Sequence, residues 1–159
     1  MTSPTISHII GIVALITLIF VLPLFYSLMV NNITIEMKER ELKEVADYVS
    51  NSLWNLHILA NSTSSDILVT KKLDLPSTIR DSSYYVEIQY GQNGFAQHVA
   101  AYMKNDIQLR STSLIFPGFI ADNSTGYLIE SGEQIFIAGC TLNSTGSYVW
   151  IKEEQLPAS

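Results

Sequence analysis

An α+β chain is predicted: one long N-terminal helix, transmembrane and then amphipathic, followed by a small antiparallel β-sheet or sandwich head. Three observations predict it. Ile9 to Val30 is a run of 22 residues without a charge. An apolar stripe at helical spacing follows as far as Ala60. From Ile67 onward the apolar period drops to two, punctuated by turn residues.

Residues 1–8 read as a short tail and residues 9–30 as a membrane-spanning helix. At about 1.5 Å per residue the run reaches roughly 33 Å, the hydrocarbon thickness of a bilayer. Met1 to His8 carries no Lys or Arg, the run exceeds a signal-peptide core, and Leu28-Met29-Val30 is no small-residue cleavage site. Retention as an anchor is therefore expected. Pro23 lies inside the span and removes one backbone bond. Gly11, Ala14 and Thr17 recur every third residue, placing small side chains near one face where a second helix can approach closely; span composition alone can also generate such spacing.

Residues 31–61 continue as an amphipathic helix. Leu42, Val45, Val49, Leu53, Leu56 and Ala60 form one stripe, with Ile35 seven before Leu42. Lys38, Glu39, Glu41, Lys43, Glu44 and Asp47 occupy the other face, with Glu39 and Lys43 in the favourable i,i+4 order. Span and stripe together make a rod of roughly 50 residues, on the order of 75 Å. The stripe can lie against the β-head of its own chain or against the same helix in neighbouring subunits. Residues 62–66 have loop composition.

Residues 67–159 form the expected β-rich head. Strands are predicted at Ile67 to Thr70, Tyr84 to Tyr90, Phe95 to Met103, Ile107 to Leu114, Tyr127 to Glu130, Glu133 to Leu142 and Tyr148 to Lys152. Leu73-Asp-Leu-Pro76 reads as a strand end, Gly91 to Gly94 as a hairpin turn and Phe116-Pro117-Gly118-Phe119 as a break. In the second of these strands Tyr84, Val86, Ile88 and Tyr90 face one way, Glu87 and Gln89 the other.

Charged residues are 15% of the chain, below the usual ~25%, and the net charge is −6. No basic stripe exists to neutralise phosphates, so nucleic acid is excluded as an expected partner. Surface polarity in the head comes from Ser, Thr, Asn, Gln and Tyr, and from any sugars attached. Cys140 is the single cysteine, which rules out an intramolecular disulfide; it reads as a buried small hydrophobe, with an intermolecular bridge as the alternative.

Sequons occur at Asn32, Asn61, Asn123 and Asn143, all beyond the span. They favour an extracytoplasmic C-terminal domain on a single-pass membrane protein. Lys38, Arg40 and Lys43 after the span favour the opposite orientation, but five acidic residues are interleaved with them.

No catalytic residue, metal ligand set or cofactor is expected. His8, His57 and His98 have no second ligand at short spacing, and no nucleophile elbow, phosphate loop or dinucleotide motif appears. Tyr84, Tyr85, Tyr90, Tyr102, Tyr127, Tyr148 and Trp150 offer a sugar- or partner-binding surface, or simply serve strand packing.

The short tail, the apolar helix holding Pro23, the segment Leu42-Lys-Glu-Val-Ala-Asp-Tyr-Val49 and Leu73-Asp-Leu-Pro76 leading to Tyr84-Tyr-Val-Glu-Ile88 resemble the type IV pilin superfamily, in particular archaeal pilin-like surface proteins. The chain lacks the basic residue ahead of the apolar helix and the acidic residue near its start. The resemblance therefore extends to unprocessed relatives and to archaellum stator-type anchors. It implies a noncatalytic surface-filament component, with the membrane, a homo-oligomer or other pilin-like subunits, and envelope or surface-layer proteins as partners. The packing surface would comprise Gly11, Ala14, Pro23, Leu42, Val45, Val49, Leu53 and Leu56; Leu42→Asp or Val49→Asp would then abolish assembly but not insertion. Two further classes stay open: an envelope glycan-binding module and, last, a membrane-anchored envelope hydrolase.

Overall fold

A computed structural model of the 159-residue chain describes residues 4–62, 67–90, 96–115, 119–121, 128–132, 134–143 and 146–154. The class is α+β: one long N-terminal helix followed by two β-sheets. Helix α1 runs Pro4–Asn61, so the helical segment begins inside the predicted tail. The chain divides into two compact units, Met1–Met37 and Lys38–Ser159.

The first unit is helical from Pro4. Every large apolar side chain from Ile6 to Met37 is between 40% and 72% exposed. Pro23 interrupts one hydrogen bond, yet the helix is assigned straight through it.

The second unit holds the remainder of α1 and the head. The strands are β1 (Ile67–Leu73), β2 (Tyr84–Tyr90), β3 (Ala96–Met103), β4 (Arg110–Leu114), β5 (Phe119–Ala121), β6 (Leu128–Glu130), β7 (Ile135–Asn143) and β8 (Gly146–Glu154). They form two four-stranded sheets, β1-β7-β8-β5 and β4-β3-β2-β6. All pairings are antiparallel except β5 with β8. The antiparallel arrangement expected of the head is thus present, with one parallel pair added by β5, which begins at Phe119, the last residue of the predicted break. Three residues carry too little pattern to register as a strand; pairing with β8 supplies the order. The Gly91 to Gly94 turn and residues 116–118 of that break lie outside the described residues.

Alternation selects the inner faces. Register places Leu73 opposite Phe136 and Val69 opposite Cys140 in one sheet, and Tyr84 opposite Met103 and Ile88 opposite Val99 in the other. These inner residues and the helix stripe Leu42, Val45, Ala46, Val49, Leu53, Leu56 and Ala60 form one buried cluster. The helix is thus part of the head's core, the first of the two uses open to the stripe.

Residues between β1 and β2 contact α1, where the Asp74 amide donates to the Tyr48 hydroxyl at 3.3 Å. There Ile79 and Ser82 exchange backbone hydrogen bonds of 3.0 Å around Arg80 (φ 49°) and Asp81 (φ 58°). Two consecutive left-handed residues are the geometry of a primed hairpin turn, which glycine and asparagine usually supply. Here Arg80 Nε donates to Glu41 Oε1 at 2.9 Å and ties the turn to the helix.

Candidate functional site

Three surfaces deserve comparison for chemistry: the apolar helix, the outer face of the second sheet, and a groove beside α1. Among the described residues, most of the exposed large apolar side chains lie on the helix from Ile6 to Met37. Apolar patches this extensive mark a membrane or protein contact. Two of its hydroxyls are satisfied within the helix: Thr17 Oγ1 donates to the Val13 carbonyl and Thr34 Oγ1 to the Val30 carbonyl, both at 2.8 Å. Such a bond keeps a threonine hydroxyl paired within the helix, as a lipid setting favours. Among the described residues α1 is the one helix long and apolar enough to cross a membrane.

The predicted packing residues separate into two groups. Gly11, Ala14 and Pro23 are exposed, and a Cβ at Gly11 would meet nothing within 4 Å. Leu42, Val49 and Leu53 are 0% exposed, and Val45 and Leu56 are also buried, all against sheets of the same chain.

Lys43 shows how the head takes over the polar flank of the helix. Its Nζ donates to Asp47 Oδ1 at 2.9 Å and to the Thr112 carbonyl at 2.7 Å. The expected Glu39 pairing gives way because the edge strand β4 offers a second acceptor on the Asp47 side. Partial burial works against the Asp47 carboxylate, but hydrogen bonds from Lys43 and Ser113 and the Lys43 charge outweigh it and hold its pKa below the ordinary value. Ser50 Oγ donates to the Leu114 carbonyl at 2.7 Å, and Ser111 Oγ to the Glu39 carbonyl at 2.9 Å. These serines escaped sequence reasoning, although Ser50 and Ser52 flank the stripe at positions a buried helix face would cover.

The aromatic residues do not share one surface. Tyr84 is 0% exposed and donates its hydroxyl to the Pro76 carbonyl at 2.6 Å; burial raises its pKa. Tyr90 packs against the core, and Trp150 is buried over Gly139. Tyr148 is half-buried on β8 and Tyr127 lies outside the described residues. Tyr85 and Tyr102 adjoin on the outer face of the second sheet, with ring centroids 5.5 Å apart. They sit in one cross-strand row running Glu130, Tyr85, Tyr102, Arg110. Lys104 pairs with Glu130 beside them, raising its own pKa and lowering that of Glu130.

The groove has a volume of about 230 Å³ and is lined by Glu41, Glu44, Tyr48, Asp74, Leu75, Pro76 and Ile79 among others. Small-molecule sites usually occupy ~300–1,000 Å³. Glu41 is already engaged by Arg80, and Glu44 by Arg40 at 3.5 Å. His57 stacks on Trp54 at 5.6 Å, His98 lies on β3 and His8 is exposed on α1. Among the described residues no group of three or more His, Cys, Asp or Glu side chains is arranged to hold a metal ion. Cys140 is fully buried, and burial pushes its thiol up to about 11, so of its two readings the geometry matches the small hydrophobe.

Asn32 lies in mid-helix, Asn61 is the last residue of α1, and Asn143 ends β7; all three are exposed. Asn123 lies outside the described residues.

The long apolar helix and following sheets fit a pilin-like architecture. No family model, curated protein or solved structure matches the chain.

Proposed function

We propose that the chain is a noncatalytic, membrane-anchored, pilin-like subunit or assembly component of an archaeal cell-surface filament, its C-terminal head outside the cytoplasm. One observation carries the reading. Within a single helical element the large apolar side chains up to Met37 are 40% to 72% exposed, while the stripe from Leu42 onward is sealed into the head. Burying apolar surface is worth about 25 cal/mol per Å², so the exposed half demands an apolar surround. Lipid provides it for a resident subunit; neighbouring helices provide it in a filament core.

The test is immunogold electron microscopy of surface appendages from cells carrying a tagged copy. Label along filaments is the expected result. Label confined to the cell envelope beside unlabelled filaments rejects the subunit reading. The two four-stranded sheets of the head favour a second reading, an archaellum stator-type anchor, which that outcome would leave standing. Leu42→Asp and Val49→Asp do not discriminate, because both residues are 0% exposed and a buried carboxylate would unfold the head. Gly11→Leu, on the exposed half, is the informative variant: loss of filaments with normal membrane insertion is expected.

A further inference from the structure

We infer that the outer face of the second sheet is a carbohydrate-binding site. Tyr85 and Tyr102 form the platform for a neutral sugar ring, and Glu87 and Arg110 are its polar contacts. The site belongs to the head alone, so the inference holds for a filament subunit and for a stator-type anchor alike.

Alternation along the strands builds the face. Tyr84, Val86 and Ile88 are buried on the inner side of β2, so Tyr85, Glu87 and Gln89 turn outward, each half-buried. Register sets Tyr85 between Glu130 on β6 and Tyr102 on β3, with Arg110 on β4 beyond Tyr102. In the next row Glu87 lies beside Ala100. All of these residues are among those described, and Arg110 is exposed.

The rings are held in place before any ligand arrives. Their planes are tilted by 40°. Lys104 and Glu130 pair with each other and each also hydrogen-bonds Tyr85. The Lys104 ammonium lies 6.0 Å from the centre of the Tyr85 ring. Tyr85 is therefore braced from one side, and Tyr102 packs against it. Burial, with the nearby Glu87 charge and Tyr85, raises the pKa of Tyr102, so its hydroxyl stays a neutral donor. Side chains already ordered lose little freedom when a ligand settles on them.

The polar groups on the other side are unspent. Among the described residues neither Glu87 nor Arg110 has an ion-pair partner. They stand on the two strands that flank β3, one an acceptor and the other a fork of donors. A matching ligand offers an apolar face to the phenols and both donors and acceptors around its edge. A pyranose has that form, with axial C–H bonds on one face and hydroxyls around the rim. Charge selects further. Glu87 and Glu130 balance Lys104 and Arg110, so the face steers neither a polyanion nor a polycation. The cores of protein interfaces are depleted of charged residues, whereas here charged side chains neighbour both rings. A neutral oligosaccharide is the occupant these features fit.

The test presents the full chain in phosphatidylcholine nanodiscs to an immobilised panel of neutral and acidic oligosaccharides, with empty nanodiscs as the blank. Binding to a neutral member is expected, with no acidic member held more tightly. Tyr85→Ala and Tyr102→Ala should each weaken it by about tenfold, while Tyr102→Phe, which keeps the ring, retains most of it. Lys72→Ala, exposed on the other sheet, should change nothing. Thermal midpoints separate a lost site from a lost fold. Should either alanine variant fail to fold, Arg110→Ala carries the test, because this exposed residue is removed without opening the core and binding should still fall several-fold. A panel with no neutral member bound, a preference for acidic members, or binding indifferent to the two tyrosines and Arg110 overturns the inference.

Discussion

Gly139 sits directly across the β7–β8 ladder from Trp150. A Cβ there would lie 2.1 Å from the indole Cζ2. The indole therefore occupies the space that any other residue would need. Gly139→Ala should destabilise the head by about 1–3 kcal/mol through overpacking, read as a lowered denaturation midpoint; Gly132→Ala, where a Cβ meets nothing within 4 Å, should leave the midpoint unmoved. Equal effects at the two positions would refute the steric account. Asp47 gives a second prediction at this scale. Its folded pKa is depressed, so its contribution to stability is present above the unfolded carboxylate pKa and is lost as pH falls through the folded one. Asp47→Asn should flatten the acid side of the stability profile, and because the pair is exposed to solvent the change will be modest. An acid limb identical in both proteins would place the sensitivity elsewhere.

The amphipathic half of α1 acts as a closing element for both sheets. Its stripe supplies seven of the core's buried positions, while Lys43 and Ser50 occupy the outward carbonyls of Thr112 and Leu114 on β4. An edge strand with free carbonyls is a template for unwanted pairing; here helix side chains take that role. Leu53→Ala should cost about 2–5 kcal/mol by leaving a cavity. Ser50→Ala should cost ~0.5–1.5 kcal/mol, the net value of one hydrogen bond, and should make the purified head more prone to self-association. Chemical denaturation and light scattering report the two effects separately. On β1 the exposed Lys71 and Lys72 discourage edge pairing by charge instead, and Lys71 also donates to Ser52 Oγ at 3.1 Å.

For the molecule as a whole, the division at Met37 and Lys38 identifies the piece that can fold. A fragment of residues 62–159 lacks the helix stripe and would expose the inner faces of both sheets. It should be insoluble or molten by circular dichroism. A fragment of residues 38–159 keeps the stripe and should unfold cooperatively. Cooperative unfolding of the shorter fragment would show that the helix is dispensable to the core.

Much of this architecture was legible locally. The charge-free run, the stripe from Leu42 to Ala60 and the alternation of Tyr84 to Tyr90 are patterns within a few consecutive turns or residues, so period alone assigns their type. Strand β5 and the Arg80–Asp81 turn were not legible, since β5 is ordered by pairing with distant β8 and the turn by Glu41 on the helix. Alternation separates Tyr84 from Tyr85 but does not say which face is the core; the helix stripe and the other sheet decide that. Tyr84 and Tyr85 are neighbours of the same kind, yet one fills the core and the other faces outward.

Local composition thus establishes a greasy helix, an amphipathic continuation and a β-rich remainder, because each property depends on side chains close together in the chain. Which partner covers the stripe and which face of each sheet is turned to the core depend on contacts between residues far apart in sequence. Such contacts follow from how faces pack, and no short window of sequence contains both faces.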